Sequence, residues 1–169
     1  MDRYDERLIV GKPDASAFLL IGLSVLVALL GVACMCFVHF TFGLVLVIGG
    51  IVLAGFFKDG FDIEYEYILT NGDIEVAKII AKKRRKTVFT ANEGDIKLME
   101  SADSDKVKND LSLGKKSKKY IGKDTQDRLV AFYFGEGDSE KLVILDFDRK
   151  CIEHMKMVIK SRCNVTLIN

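Results

Sequence analysis

The sequence predicts a chain in two parts, a membrane α-hairpin followed by an α+β domain of about seven antiparallel strands with a C-terminal helix. Three observations support this fold class. Residues 15–57 contain no Asp, Glu, Lys or Arg, the next stretch alternates apolar and polar side chains as a β-strand does, and an amphipathic segment ends the sequence. We therefore divide the chain into an N-terminal cytoplasmic segment (1–14), the hairpin (15–57) and a cytosolic domain (58–169).

The uncharged block is long enough for two membrane spans. It has about twice the roughly 20 residues that one helix needs to cross a bilayer. His39, Thr41 and Gly43 interrupt it near the middle, which predicts spans of about 16–37 and 42–57. A cleaved signal peptide is the alternative, and so is lipoprotein processing at Cys34, but the apolar run continues past any such site.

The distribution of basic residues predicts the orientation of the hairpin. Arg3, Arg7 and Lys12 precede the first span, Lys58 and a cluster at 82–86 follow the second, and the connector has neither Lys nor Arg. The positive-inside rule then places both termini in the cytoplasm, as in a multi-pass protein of the cell (cytoplasmic) membrane. With 25 basic and 24 acidic residues, the chain is too balanced to predict nucleic-acid binding.

Small side chains recur at helical spacing in both spans and are candidates for packing between the two helices. They are Ser24, Ala28 and Gly31 in the first span and Gly43, Gly50 and Ala54 in the second. The alternative is that Gly and Ala are common in any membrane helix. Because the only ionisable residue of the block is His39 near the turn, the hairpin is typical of an anchor rather than a transporter.

The domain that follows reads as a series of short strands. Residues 61–69 alternate, Asn71-Gly72 favours a type I′ turn with positive φ at both central positions, and residues 74–80 continue the pattern on the other side. Shorter apolar runs near 88–89, 96–99, 118–121, 129–134 and 141–145 predict five more strands. The segment 100–119 is rich in Ser, Asp and Lys, and we expect a mobile loop there.

The last part of the chain is expected to be a helix. Asp148 can cap its first turn, and apolar side chains follow at helical spacing. They are Cys151, Ile152, Met155, Val158 and Ile159. This stripe predicts that one face of the helix packs against the sheet.

Two segments resemble a known family. YEYILTNGDIEVAKIIAKKRRK (65–86) and LVILDFDRKCIEHMKMVIK (142–160) are similar to bacterial membrane proteins in which a two-helix hairpin precedes a pleckstrin-homology-like (PH-like) domain. The resemblance implies a partial β-barrel of seven antiparallel strands that is capped by the C-terminal helix. Phosphoinositide-binding relatives in eukaryotes carry basic residues in the turn between their first two strands. In this chain the turn between the first two strands is expected at 71–73, and it has no basic residue.

The sequence contains no motif for catalysis, for a cofactor or for a metal site. Its two histidines are His39 and His154, and a single helical histidine is more often a packing residue than a general base. We therefore expect a non-enzymatic protein without catalytic residues, cofactor or metal.

One basic cluster is a candidate contact with anionic lipids. It comprises Lys82, Lys83, Arg84, Arg85 and Lys86, and each cation near an anionic surface contributes about 1 kcal/mol. The alternative is a solvated hairpin tip. The sequence thus predicts a membrane-anchored binding or scaffold module for a protein partner, with anionic-lipid binding through residues 82–86 as the alternative function.

Overall fold

The structure is a computed structural model that describes residues 3–13, 15–123, 128–135 and 140–165. The chain forms two compact units. We call Lys12–Ile63 together with Ile80–Arg84 the helical unit. The sheet unit comprises Met1–Gly11, Glu64–Ile79 and Arg85–Asn169.

The helical unit contains α1 (Ala15–Phe37) and α2 (Phe40–Phe57), and a 3₁₀ turn over Lys58–Phe61 extends α2. The chain reverses at His39, whose Nδ1 accepts a hydrogen bond of 3.3 Å from the Thr41 amide and so caps α2. Both helices are long and apolar enough to cross a membrane. Only 11% of the most apolar stretch of each helix is buried within the protein.

The first sheet has the strand order β1-β2-β3-β4. Its strands are β1 (Tyr4–Val10), β2 (Ile63–Thr70), β3 (Asp73–Ile80) and β4 (Arg84–Ala91). β1 and β2 are antiparallel, with Tyr4 opposite Thr70 and Val10 opposite Glu64. The two helices therefore occupy the connection between two neighbouring strands, and the turn at Asn71 is the second connection of the sheet rather than the first.

β1 lies in the N-terminal segment, where the sequence analysis expected no strand. Asp5 and Arg7 belong to the less exposed set of this strand, whereas Leu8 and Val10 are more than half exposed. Of the inward residues only Ile9 is apolar, so the usual pattern of apolar residues inside and polar residues outside is largely lost. A search for that pattern overlooks the strand for this reason.

The second sheet has the order β5-β7-β8-β6. Its strands are β5 (Ile96–Ser101), β6 (Ser117–Tyr120), β7 (Arg128–Phe134) and β8 (Lys141–Phe147). β6 runs parallel to β8, and the other pairs are antiparallel. The expected single barrel of about seven antiparallel strands is therefore not confirmed: the described residues form eight strands in two open sheets.

A short helix, α3 (Asp105–Ser112), stands within the segment where we expected a mobile loop. The Ser104 hydroxyl caps it by accepting a hydrogen bond of 3.3 Å from the Val107 amide. Val107 is fully buried in a cluster with Ala131, Tyr133, Leu142 and Ile144, and Leu111 packs against the same cluster. Two apolar residues four positions apart are too weak a signal in a polar segment, yet they suffice to cover one face of β7 and β8.

The other buried core contains aromatic side chains from both sheets. The rings of Tyr67 and Phe147 have centroids 5.7 Å apart, and those of Phe132 and Phe147 are 5.4 Å apart. The C-terminal helix α4 (Arg149–Ile159) is present as expected, with Asp148 accepting a hydrogen bond of 2.8 Å from the Cys151 amide. Its apolar stripe is buried at Cys151, Ile152, Met155 and Ile159 and partly buried at Val158.

Candidate functional site

The basic cluster begins in the turn between β3 and β4. The Lys83 amide donates a hydrogen bond of 3.1 Å to the Ile80 carbonyl, and Ala81 and Lys82 both adopt positive φ, at 52° and 54°. This is the geometry that we expected at Asn71-Gly72, where only Asn71 has positive φ (57°). A glycine is needed at position 72 for a different reason, since a Cβ there would lie 2.6 Å from Cβ of Glu93.

The β3–β4 turn belongs to the helical unit. The Ala81 amide donates a hydrogen bond of 2.7 Å to the Asp62 carbonyl, just beyond the end of α2. A Cβ at Gly60 would lie 3.1 Å from Ala17, so the start of α1 is beside the end of α2. Lys82, Lys83 and Arg84 are exposed at this end of the hairpin.

Arg85 differs from its neighbours in the cluster. Its Nε lies 2.6 Å from the Glu66 carboxylate and its second guanidinium nitrogen lies 3.2 Å from Glu75. The hydrogen bond to Glu66 is the main reason that the pKa of Arg85 is raised. Glu75 also accepts a hydrogen bond of 2.9 Å from Thr87. Arg85 therefore ties β4 to its neighbours in the sheet, while Lys86 remains exposed beside it.

The six small residues of the helices lie where α1 and α2 meet. Ser24, Gly31, Gly43 and Gly50 are buried, and Ala28 and Ala54 are partly buried. A Cβ at Gly31 would lie 2.7 Å from the Val47 amide, and one at Gly50 would lie 2.8 Å from the Ala28 amide. A Cβ at Gly43 would overlap Met35. The two backbones are thus close enough that side chains are excluded at these positions.

His154 is fully buried in α4, and both of its ring nitrogens face acceptors. Nδ1 lies 2.7 Å from the Asp5 carboxylate, and Nε2 lies 2.6 Å from the Asn71 carbonyl. The carbonyl can only accept, so Nε2 donates the hydrogen bond to it. The histidine therefore joins α4 to β1 and to the β2–β3 turn.

Cys151, which lies three residues before His154 on α4, is also buried. Burial, followed by its contact with Asp148, raises the pKa of Cys151. Such a thiol is largely protonated at neutral pH and is a poor nucleophile.

A second buried polar group connects β1 with β8. Arg7 lies 3.5 Å from Asp146, whose side chain is 3% exposed. The Asp146 amide donates a hydrogen bond of 3.3 Å to Tyr67 Oη, which in turn donates to the Tyr120 carbonyl. Burial raises the pKa of Tyr67. These contacts explain why two charged residues of β1 point inward.

The sheet unit also contains a groove that the sequence analysis did not predict. It has a volume of about 810 Å³ and is lined by residues 87–90 of β4, 116–118 around the start of β6, and 141–143 of β8. Lys115, Lys116, Lys118 and Lys119 form a second basic cluster in the sequence, but its relation to Lys141 is not visible there. Only the parallel pairing of β6 with β8, which sets Ser117 opposite Leu142, brings them together.

Lys115 belongs to the same sequence cluster but has another role. Its amine contacts Glu140 and lies 3.6 Å from Asp110. The hydrogen bond to Glu140 is the main reason that its pKa is raised. The ion pairs therefore hold Lys115 between α3 and the start of β8.

Among the described residues, no group of three or more His, Cys, Asp or Glu side chains could hold a metal ion.

Searches of curated proteins and of solved structures found no match. A family described as "Bacterial PH-like domain (DUF6106)" matches residues 1–165, which include both apolar helices and both sheets. The resemblance seen in the sequence is thus confirmed, and the chain belongs to this bacterial PH-like domain family.

Proposed function

We propose that this protein is a membrane-anchored, non-enzymatic binding module that presents its PH-like domain to a protein partner at the cytoplasmic face. In this proposal α1 and α2 both cross the cell membrane and both termini are cytoplasmic. The hairpin is residues 15–57, as the sequence predicts. The segment before it is not separate from the domain, because it contains β1, which belongs to the sheet unit.

The observation that carries the proposal is the exposed apolar surface of the helical unit. Most of the large apolar side chains that are exposed among the described residues lie in α1, α2 and their connector, and Leu19, Leu29 and Phe56 are examples at 64–74% exposure. A surface of this size is rarely left in water. Bilayer lipid would cover it, and the small-residue contact between the helices would remain inside the hairpin.

The buried polar groups support a binding role rather than catalysis. His154 uses both ring nitrogens to hold β1 and the β2–β3 turn. Cys151 has a raised pKa because it is buried. A general base or a nucleophile needs access to substrate and a pKa suited to its task, and these two groups serve the fold instead.

The first experiment tests anchoring and partner binding in the full chain. We expect the protein to stay in the membrane fraction after carbonate extraction. A photo-crosslinking amino acid placed at Thr90, Leu113 or Met157, which are exposed positions of the sheet unit, should then give a discrete protein adduct in cells. Release by carbonate, or the absence of protein adducts from all three positions, would contradict the proposal.

Anionic-lipid binding is a second candidate, and the position of the β3–β4 turn favours it. The hydrogen bond between Ala81 and Asp62 holds Lys82, Lys83 and Arg84 at the end of the hairpin where α1 begins and α2 ends. If that end lies at the membrane surface, each cation there that reaches anionic head groups contributes about 1 kcal/mol. Arg85 is held instead by its contacts with Glu66 and Glu75.

Proteoliposomes that contain a photoactivatable anionic lipid would separate the two candidates. Lipid binding predicts labelling of the full chain that falls with salt and that is lost when Lys82, Lys83 and Arg84 are replaced by Gln. Matched replacement of Lys106, Lys108 and Lys119, which are exposed in the sheet unit, should leave labelling unchanged. Equal labelling of both triple variants would exclude the basic turn as the lipid contact.

A further inference from the structure

We infer that the groove between β4 and β6 binds an extended peptide segment of the partner, with alternating apolar and acidic residues, by strand addition to the sheet edge. This inference rests on the proposed function and specifies the chemistry of the partner. All residues of the groove lie within the sheet unit.

The lining of the groove shows that strand edges face it. Four consecutive residues of β4, Thr87 to Thr90, line the groove, and so do three consecutive residues, 116–118, on the opposite side. Successive side chains of a strand point to opposite faces of the sheet, so a cavity over one face contacts every second residue. For a strand at the outside of its sheet, contact with consecutive residues is expected where its backbone edge, rather than one face, borders the groove.

Both of these edges are at the outside of their sheets. β4 is the last strand in the order β1-β2-β3-β4, and β6 is the last in β5-β7-β8-β6. In the part of the chain that the structure describes, each therefore has one edge without a neighbouring strand. Such an edge presents amide and carbonyl groups to an incoming strand, and an extended peptide can pair with it. In β4 the Val88 carbonyl already accepts a hydrogen bond of 3.2 Å from Tyr120 Oη.

The side chains of the groove specify what kind of peptide would bind. Lys116, Lys118 and Lys141 are exposed along it, and within the described residues none of the three forms an ion pair. Its apolar lining includes Phe89, which is partly buried, and Leu142, which is buried. Among the residues that the structure describes, none of those lining the groove is acidic. In an incoming strand that alternates apolar and acidic side chains, one face would contact the apolar lining of the groove and the other face would contact the lysines.

The same features favour a peptide over the tail of a lipid. A lipid tail gains from an enclosed apolar wall, whereas backbone edges offer hydrogen bonds that an alkyl chain cannot make. Lysines on an edge strand can also serve only to prevent association with other strands. These two alternatives make different predictions in the experiment below.

The experiment uses the full chain in nanodiscs of phosphatidylcholine, a neutral lipid. A phage library of short random peptides is selected against this protein and counter-selected against the variant Lys116→Glu/Lys118→Glu/Lys141→Glu. The expected result is enrichment of peptides that alternate apolar and acidic residues. No enrichment over the variant, which the protective role of the lysines predicts, or enrichment without acidic residues would overturn the inference.

A second triple variant, with three lysines reversed outside the groove, controls for the change in net charge. Lys108, Lys119 and Lys150 are exposed and lie outside the groove, and Lys119 is next to Lys118 in β6. For the selected peptide, reversing the three groove lysines should weaken binding at least about tenfold. Reversing the three control lysines should leave binding within about twofold. Circular dichroism of both variants verifies that they are folded, and equal losses in the two would overturn the inference.

Backbone pairing is tested by N-methylation of the selected peptide. In a strand, alternate amides point toward the neighbouring edge, so methylation of one alternate set should weaken binding at least about tenfold while methylation of the other set has little effect. Equal effects of both sets would contradict strand addition. So would a lysophospholipid that binds in the groove and displaces the selected peptide.

Failure of this inference can be told apart from failure of the proposed function. A cellular partner that crosslinks from Met157 but not from Thr90, with no groove peptide selected, would overturn the groove as the docking site and leave the binding module intact. The absence of protein adducts from Thr90, Leu113 and Met157 alike would reject the proposed function itself.

Discussion

The helices α1 and α2 and the strands β7 and β8 are both continuous apolar runs, but the protein covers only the strands. Residues 130–134 and 142–147 are buried because the first sheet and α4 lie on one side and α3 lies on the other. In α1 and α2 only the small-residue contact between the helices is buried. An apolar run therefore indicates only that something covers it, and the fold decides whether the protein or another medium does so.

The comparison can be tested most drastically by removing the helices. Val10 pairs with Glu64 in antiparallel register, so a short Asn-Gly turn can replace residues 12–62 and join β1 directly to β2. We expect a soluble protein that unfolds cooperatively. A fragment that begins at Lys58 lacks β1 and should aggregate, because Asp146 and His154 lose Arg7 and Asp5. Sedimentation and thermal unfolding of both variants test this, and equal solubility of the two would contradict the importance of β1.

The next effect concerns the buried ion pair of the sheet unit. Asp146→Ala removes a counter-ion of Arg7, whose side chain is only 14% exposed, and should lower the free energy of unfolding by about 3–5 kcal/mol. Denaturant unfolding of the version without helices measures the change. Glu153→Ala is the control, since its pair with Arg149 is exposed and should contribute less than about 0.5 kcal/mol. Similar losses in the two variants would show that burial of the pair is not decisive.

A charge on an exposed leucine should distinguish the two regions directly. Leu26 is at the centre of α1 and Leu113 follows α3, and both are exposed. Leu26→Arg should disfavour membrane insertion by about 3–4 kcal/mol, whereas Leu113→Arg should change nothing because that side chain faces water. Carbonate extraction of both variants is the measurement. Unchanged retention of Leu26→Arg would argue against α1 as a span.

The contact between the helices should be sensitive to side-chain size at particular glycines. Gly43→Leu forces a side chain into Met35, while Gly49 on the same helix has open space around its Cβ position. We expect a loss of about 1–3 kcal/mol for Gly43→Leu and little change for Gly49→Leu. Thermal unfolding in detergent tests the pair. A larger loss at Gly49 would mean that the helices meet through another face.

The smallest expected effect is at the start of α4. Burial alone would raise the pKa of Asp148, but its hydrogen bonds with Cys151 and the charges of Arg7 and Lys150 together outweigh burial and lower the pKa from the usual 3.8. A carboxyl with a lowered pKa stabilises the fold above its usual pKa and loses this contribution as the pH falls through the value in the folded protein. Asp148→Ala should therefore cost about 1 kcal/mol at neutral pH, with the difference shrinking below pH 3.8.

The control for this last effect is Asp148→Asn, which keeps a cap but does not titrate. The free energies of unfolding of this variant and of the native protein should become equal as the pH falls. A constant difference between the two at every pH would show that the ionised carboxylate is not what stabilises α4.

The sequence predicted those elements whose signals are local and repeated. The ends of α1 and α2 lie within two residues of the ranges expected from the apolar block, and α4 begins after its predicted cap at Asp148. The candidate lipid cluster was predicted as one run of five cations. The structure separates it, because Arg85 pairs with Glu66 and Glu75 across the sheet while Lys82 to Arg84 lie in the turn.

The apolar hairpin, the alternating strands, the amphipathic last helix and the family could be predicted, since each follows from side-chain periodicity or from a segment read along the chain. The other features arise from contacts between distant parts of the chain. The inward charged residues of β1 contact Asp146 and His154, and α3 packs against the buried cluster on β7 and β8. The groove exists because β6 pairs with β8 in parallel. These features depend on partners far apart in the chain, which no local pattern can reveal.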